Sequence, residues 1–297
     1  MKINSASLDA LRVGFKTTFQ AGLGTAASQQ SRVAMKVTSS SRSEKYGWLA
    51  NIPGIREWIG DRLVQNLSEY DYEIKNRSFE ETVGVDRDDM DDDTLGTYGP
   101  LFQMLGENVG NFPDTLVWPL LKAGFNTSCY DGQFFFDTDH PVIQADGTTA
   151  SVANTDGGAG TPWYLLCTKR ALKPIIYQER KPFDFVSKDK PSDDNVFNQK
   201  KFLYGVDGRA NAGYGLWQLG WGSKQPLTAA NYEIARAAIA SFKADYGQPL
   251  GLVPDLLVVP PSLEGAGKAI VSSQLVNGGE TNKWAGTAEL LMVPWLA

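Results

Sequence analysis

The chain contains one histidine, His140, in the run Asp137-Thr138-Asp139-His140-Pro141. Two carboxylates and an imidazole this close are donor types that can hold a divalent metal and activate its bound water. A metal-dependent hydrolase built on Asp137, Asp139 and His140 is one reading of the run. No second histidine exists to complete a common zinc set, and Asp before Pro141 also makes an ordinary turn. Between Asp86 and Asp93 six of eight residues are Asp, and carboxylate oxygens suit Mg²⁺ or Ca²⁺. The alternating ligands and central glycine of a calcium loop are missing, so a solvated helix start is the simpler account. Glu264 to Ala269 reads EGAGKA, part of a phosphate loop, but Ser262 stands where the pattern needs Gly and Ala269 where it needs Ser or Thr. No Gly-x-Ser-x-Gly elbow accompanies His140, and neither Cys129 nor Cys167 has a local nucleophile signature. Paired carboxylates of the glycosidase kind are assembled in space, so the sequence leaves them open. The eight tryptophans could line a sugar site, yet they spread from Trp48 to Trp295, as core or interface residues would. The expectation is a protein with no catalytic, cofactor or metal site.

Composition points the same way. The 297 residues, 42% apolar and 21% charged with net charge −6, describe a globular chain with no basic block to grip nucleic acid. Two cysteines are too few for a disulfide framework and fit a reducing cytoplasm at synthesis. No apolar run approaches the roughly 20 residues of a membrane span, and Asp9, Arg12 and Lys16 interrupt the start too early for a signal peptide.

The elements that would position these residues can be taken in order. Leu8, Leu11, Phe15 and Phe19 predict an amphipathic helix, and the Ser-, Thr- and Gln-rich tail to about residue 45 predicts an arm, disordered or ordered only against a neighbour. Trp48 to Leu63 is dense in aromatic and aliphatic residues around a turn at Pro53-Gly54. Tyr70, Tyr72 and Ile74, then Phe79, Val83 and Val85, alternate on either side of Asn76-Arg77-Ser78, which predicts a hairpin. The acidic block then opens a long helix to about 124, with Leu101, Leu105, Phe112, Leu116 and Leu120 on its buried face. Pro113 and Pro119 should kink it, or split it in two, unless outside packing holds it. Strands are expected at Trp163 to Cys167 and Pro174 to Gln178, and a strand pair across 200–223 joined near Gly208 to Gly213. Thr228 should cap a helix with Tyr232, Ala235, Ile239, Phe242 and Tyr246 buried. Leu256 to Val259 reads as a buried strand before a helix opened by Pro261, and TAELLMVPWL as a closing strand. Together these give an α+β protein whose arm, hairpin and strut helix make sense against neighbours in an assembly.

Five stretches carry a family resemblance: TLGTYGPLFQMLGENVGNFPDTLVWPLLKAGF (94–125), FFFDTDHPV (134–142), LKPIIYQERKPFDF (172–185), KKFLYGVDGRANAGYGLWQLGWGS (200–223) and TAELLMVPWL (287–296). Over nearly the whole chain the sequence resembles the major head (capsid) proteins of Mu-like tailed bacteriophages and prophages. The resemblance implies the Hong Kong 97-like capsid fold of tailed-phage and herpesvirus shells. Mapped onto this chain, it implies an N-terminal arm at 1–45 and an extended hairpin loop region at 46–85. A peripheral domain with the spine helix would take 86–125 and 161–224. An axial domain would take 126–160 and 225–287, and 288–297 would be a closing strand returning toward the peripheral domain. The implied role is structural: self-assembly through pentamers and hexamers into an icosahedral shell that encloses double-stranded DNA without sequence-specific binding. Portal, scaffold or protease and decoration proteins are the implied partners. The protein would be made in the bacterial host cytoplasm and end in the virion, with no membrane. The arm and hairpin would overlap neighbours, which makes Phe15, Phe19, Tyr70, Tyr72, Lys75, Arg77, Phe79 and Glu81 the expected inter-subunit contacts. A tail-tube or decoration protein is the nearest alternative.

Overall fold

The amphipathic start forms helix α1 (Ser5–Thr25) in the computed structural model, which describes residues 5–50, 72–92, 97–276 and 278–297. Its tail is not a free arm. Gln29 N–H donates to both Asp114 carboxylate oxygens, and the chain then enters β1 (Ala34–Thr38) and β2 (Ser43–Lys45). The Pro53-Gly54 turn and the apolar residues around it lie outside the described residues.

The expected hairpin is not one. β3 (Glu73–Lys75) pairs with β2, whereas β4 (Arg77–Asp86) belongs to a different sheet. The residue between them, Asn76, is buried rather than at a turn tip. Its amide donates to Ser39 Oγ and Ser41 O and its side-chain oxygen accepts from Gln178. Asn is common in turns because it bonds its own backbone; here distant partners satisfy it, so the strand bends through it from one sheet to the next.

The acidic block also differs from expectation. Asp86 ends β4, and Arg87–Asp92 form a separate short helix, α2. The long helix α3 (Gly99–Lys122) starts later and runs unbroken through Pro113 and Pro119. Each proline deletes a hydrogen bond, so the support must come from outside the helix. Backbone packing supplies it: a Cβ on Gly106 would lie 2.1 Å from the Phe19 carbonyl oxygen, and one on Gly22 2.0 Å from that of Gln103. Only glycine lets α1 and α3 approach this closely. Further along, Trp118 donates to the buried Asp114 at 2.7 Å and Tyr214 Oη to Leu120 O at 2.8 Å. The buried face is Phe102, Leu105, Val117, Trp118 and Leu121. Of the five residues expected there only Leu105 is fully buried; the face is rotated by about one residue, because it meets α1 on one side and a sheet on the other.

β5 (His140–Ile143) and β6 (Thr149–Val152) pair with each other. β7 (Thr155–Gly158) and β8 (Trp163–Leu166) follow, then β9 (Ile175–Lys188), α4 (Asp194–Gln199) and β10 (Lys201–Tyr214). β10 runs straight through Gly208 and Gly213, where a turn was expected. A Cβ at Gly208 would fall 2.8 Å from the Phe183 ring and one at Gly213 2.2 Å from Ile74 Cδ1. These glycines admit neighbouring side chains and do not reverse the chain. β11 (Gly220–Lys224) and α5 (Ala229–Ser241) come next, and Thr228 Oγ1 accepts the Asn231 N–H as expected of a cap. The helix ends at Ser241, so Phe242 is buried beyond it while Tyr246 is exposed in a turn with φ 64°. β12 (Leu256–Val259), α6 (Glu264–Val271), β13 (Leu275–Val276), β14 (Glu280–Thr281) and β15 (Glu289–Met292) complete the chain.

Two sheets organise these pieces. One has the order β1-β9-β10-β4, with β4 paired to β10 from Asp86–Lys201 to Arg77–Ala210. Its inner face meets α1 and α3 through Phe185, Phe202, Tyr204 and Val206, against Phe15, Phe19 and Phe102. The other sheet, order β15-β12-β8-β11-β7, holds the fully buried runs Trp163–Leu166 and Leu256–Val259. Domain boundaries at 160 and 225 would therefore cut strands of one sheet apart. The closing strand lies parallel to β12 in that same sheet, and the terminal turn beyond it touches α3, where Lys122 donates to Ala297 O at 3.0 Å. No helix among the described residues is long and apolar enough to cross a membrane.

Candidate functional site

The residues that could do chemistry gather in part at one corner, though not in the predicted set. His140 opens β5, is fully buried, and stacks on Trp217 with ring centroids 4.0 Å apart and planes 9° from parallel. Its Nδ1 lies 2.6 Å from Oδ2 of Asp131, a residue the sequence reading did not single out. The other Asp131 oxygen accepts from Cys129 Sγ at 3.0 Å and from Gln133 N–H at 3.1 Å. Burial by itself would raise the Asp131 pKa; the bond and charge of His140, with the thiol and amide, outweigh it and hold the carboxyl below its usual range.

Asp137 and Asp139 do not join this group. Asp137 accepts from Phe134 N–H at 3.0 Å and Thr138 N–H at 2.7 Å, closing a turn, and Asp139 is exposed. A hydrogen bond to Asp137, with a smaller charge effect from the same carboxylate, raises the Asp139 pKa. A hydrolase centre on Asp137, Asp139 and His140 is thus corrected: the imidazole turns inward to Asp131, because only there is a buried carboxylate available to a buried ring. Cys129, Asp131 and His140 place one donor atom each within 4.8 Å of one another, the one grouping of this kind among the described residues. Its hydrogen bonds already occupy both Asp131 oxygens and tie the 129–133 turn to β5. Beside it a cavity of about 220 Å³ is walled by Tyr130, Pro141, Trp217 and Lys243, a small recess beside a structural cluster.

The other candidates resolve similarly. Burial pushes the Cys129 thiol up, and with Asp255 pushes Cys167 up to about 12, so neither supplies a thiolate near neutrality. EGAGKA lies wholly in α6, where Lys268 pairs with Glu264 at 2.6 Å and a Cβ on Gly267 would fall 2.6 Å from Leu290 Cδ1. That glycine serves packing against β15.

The expected contact residues fall into groups. Phe15 and Phe19 lie inside their own subunit, in the aromatic cluster with Phe102, Phe185 and Tyr204, and so have no face left for a neighbour in this conformation. Tyr72 is half-buried and its hydroxyl accepts the Tyr214 N–H at 2.6 Å. Phe79 packs edge-on against Phe112 of α3 at 4.6 Å. Lys75, Arg77 and Glu81 are exposed, with Arg77 over the Phe79 ring at 5.2 Å. Tyr70 lies outside the described residues.

Nearer the tip of the β9–β10 pair the surface has two distinct faces. On the outer face Asp184, Asp207 and Glu80 stand opposite one another across three strands, next to Val186, Gly205 and Thr82, and Lys181, Lys188, Lys201 and Arg209 lie on the same face. Lys181 pairs with Asp207. On the inner face, Arg12, Val13 and Lys16 of α1 with Phe185 and Ser187 of β9 line a groove of about 420 Å³.

Comparison with known proteins gives a single answer. Residues 8–296 match the family model described as Mu-like prophage major head subunit gpT. The chain is 41% identical to the major capsid protein of Escherichia phage Mu over 305 residues, covering 100% of each chain. Among solved structures it is similar to the procapsid of bacteriophage JBD30, with a TM-score of 0.88 at 44% identity over 99% of this chain and 100% of that one. It is also similar to the JBD30 capsid decorated with minor capsid protein trimers, with a TM-score of 0.78 at 34% identity over 99% of each chain.

Proposed function

From the premise that this chain belongs to the Mu-like prophage major head subunit family, we infer how it works as a building block. It is the major capsid protein of a Mu-like phage, it forms the capsid shell of the virion, and its role is structural and not catalytic. The observation that carries this is the family match from residue 8 to residue 296. Its mixed α+β capsid fold resembles that of phage major capsid proteins.

The finer reading divides the subunit into Hong Kong 97-like units. The peripheral unit is α3, the spine, with α1 and the four-stranded sheet; the axial unit is the five-stranded sheet with α5 and α6. Support comes from the way α3 joins the two, meeting α1 near its start and the chain terminus near its end. The exposed Lys75, Arg77 and Glu81, with the segment around Tyr70, form the region that overlaps a neighbour. Copies gather as pentamers and hexamers around double-stranded DNA, which they enclose without reading its sequence. Portal, scaffold or protease partners are expected from the resemblance. Minor capsid trimers on the JBD30 relative support a decoration partner on the outer surface. Shell stability then arises from many modest contacts acting together.

Negative-stain electron microscopy of the purified protein, with light scattering beside it, tests the reading. Rings of five or six or closed shells are expected; a strict monomer, or tubes alone, would overturn it.

A further inference from the structure

We propose that Cys129, Asp131 and His140 form a structural site for zinc or another thiophilic divalent ion, with Cys129 Sγ, Asp131 Oδ2 and His140 Nδ1 as its protein ligands. One donor atom from each residue lies within 4.8 Å of the other two. Cys129 and His140 are buried, and the Asp131 side chain is only 7% exposed. Two protons now stand where an ion would. The thiol donates to Asp131 Oδ1 at 3.0 Å, and the imidazole meets Oδ2 at 2.6 Å. Around a tetrahedral zinc, with bonds of about 2.0–2.3 Å, neighbouring ligand atoms stand roughly 3.3–3.6 Å apart. The contacts therefore need to open by less than about 1 Å. Cys129 and Asp131 belong to one reverse turn, closed by the Cys129 N–H donating to Gln133 O and by Gly132 at φ 88°.

The donor set selects the ion. Sulfur and imidazole nitrogen favour zinc and its neighbours over Mg²⁺ and Ca²⁺, which take oxygen. Charge agrees, because one thiolate and one carboxylate neutralise a divalent ion and leave a buried group with no net charge. Binding sends the thiol proton to solvent, as coordination does even for a thiol that burial holds protonated. The imidazole keeps its proton on Nε2, which has no hydrogen-bond partner among the described residues. Support from behind is in place: the Gln133 N–H donates to Asp131 Oδ1 at 3.1 Å, and Trp217 stacks on the His140 ring. Asp131 also walls the cavity of about 220 Å³, from which a water can fill the fourth position. Lys243 and Asp245 line the same cavity with opposite charges. Among the described strands β5 and β6 pair only with each other, so an ion held by His140 pins that pair to the 129–133 turn.

Full-length protein made in cobalt-supplemented medium tests the site, with zinc or a chelator added afterwards. Equimolar cobalt is expected, with the near-ultraviolet charge-transfer band of a thiolate–cobalt bond and the strong visible bands of a tetrahedral ion. Zinc should bleach both. Cys129→Ser should abolish the charge-transfer band, and Cys167→Ser should leave it. Zinc should raise the wild-type melting temperature by about 3 °C or more over chelator, and that of Cys129→Ser far less. If Cys129→Ser does not fold, Asp131→Asn replaces it, keeping the band but weakening zinc binding at least about tenfold. A chain that takes up no cobalt overturns the proposal, as does zinc that leaves wild-type melting unchanged. So does a pale octahedral spectrum without the charge-transfer band, the mark of an ion on surface carboxylates. A band that persists in Cys129→Ser or vanishes in Cys167→Ser overturns it too. None of these readouts depends on shell formation, so their failure leaves the capsid reading untouched.

Discussion

The corner around His140 and the tip of the β9–β10 sheet both set acidic residues close together, and they treat them in opposite ways. At the corner Asp131 is nearly buried and both of its oxygens accept hydrogen bonds from the same chain. At the tip Asp184 and Glu80 stay in solvent, Lys181 pairs with Asp207 and Thr82 donates to Glu80, on a face that also carries Lys188, Lys201 and Arg209. A closed polar cluster rigidifies the fold, because leaving any member unpaired would be costly. An open row of exposed charges contributes little to the single subunit. Residues with the look of chemistry thus hold the fold together.

Mutations at buried and open positions should differ sharply in their effect on stability. The largest effect is expected from Trp217→Ala, which removes the ring stacked on His140 and packed edge-on against Phe242 at 5.5 Å. A loss of about 4 kcal/mol, the scale for truncating a buried aromatic, should appear in denaturant melts. Phe185→Ala comes next, at about 3 kcal/mol by the same scale, since that ring lies in the α1–α3 aromatic cluster. Its chain neighbour Val186, on the other face, sharpens the contrast. Val186→Asp should change stability by no more than about 0.5 kcal/mol, as at other exposed sites. Equal destabilisation by the two changes would erase the distinction between the faces.

Acid tests the corner specifically. The Asp131 pKa is lowered in the folded state, so the unfolded chain takes up the proton first. The stability contributed by Asp131 is complete above its unfolded value of about 3.9 and is lost as pH falls below that toward the lower folded value. Melting temperature measured between neutral pH and pH 3 should therefore drop less in Asp131→Asn than in the wild type. The variant should start lower at neutral pH by on the order of 1–3 kcal/mol, the cost of disturbing a buried hydrogen-bonded group. The smallest effect is expected at Asp139, where Asp139→Asn should leave both melting and assembly unchanged, because the side chain is exposed.

Much of this architecture is legible in the sequence. The periodicity of Leu8, Phe15 and Phe19, the Thr228 cap, the apolar run at Leu256 to Val259 and the family stretches from 94 to 296 each identified what the structure contains. Those features depend on neighbours within a few residues, where spacing and side-chain type dictate local geometry. What the sequence could not disclose was decided between distant residues. Asn76 looks like a turn until Ser39, Ser41 and Gln178 are seen to satisfy it. Gly208 and Gly213 look like a chain reversal until Phe183 and Ile74 occupy the space their missing Cβ atoms leave. Pro113 looks like a break until α1 is found against α3 at backbone distance. His140 looks like the partner of Asp137 and Asp139 until the fold brings Asp131 and Trp217 to its ring. By itself, then, the sequence determined the family, the class of fold and the main helices, because local propensity and overall pattern are written residue by residue. Which polar groups are sealed inside and which are left facing a neighbour was settled only by tertiary structure, since burial and charge pairing belong to surfaces that no single stretch of chain contains.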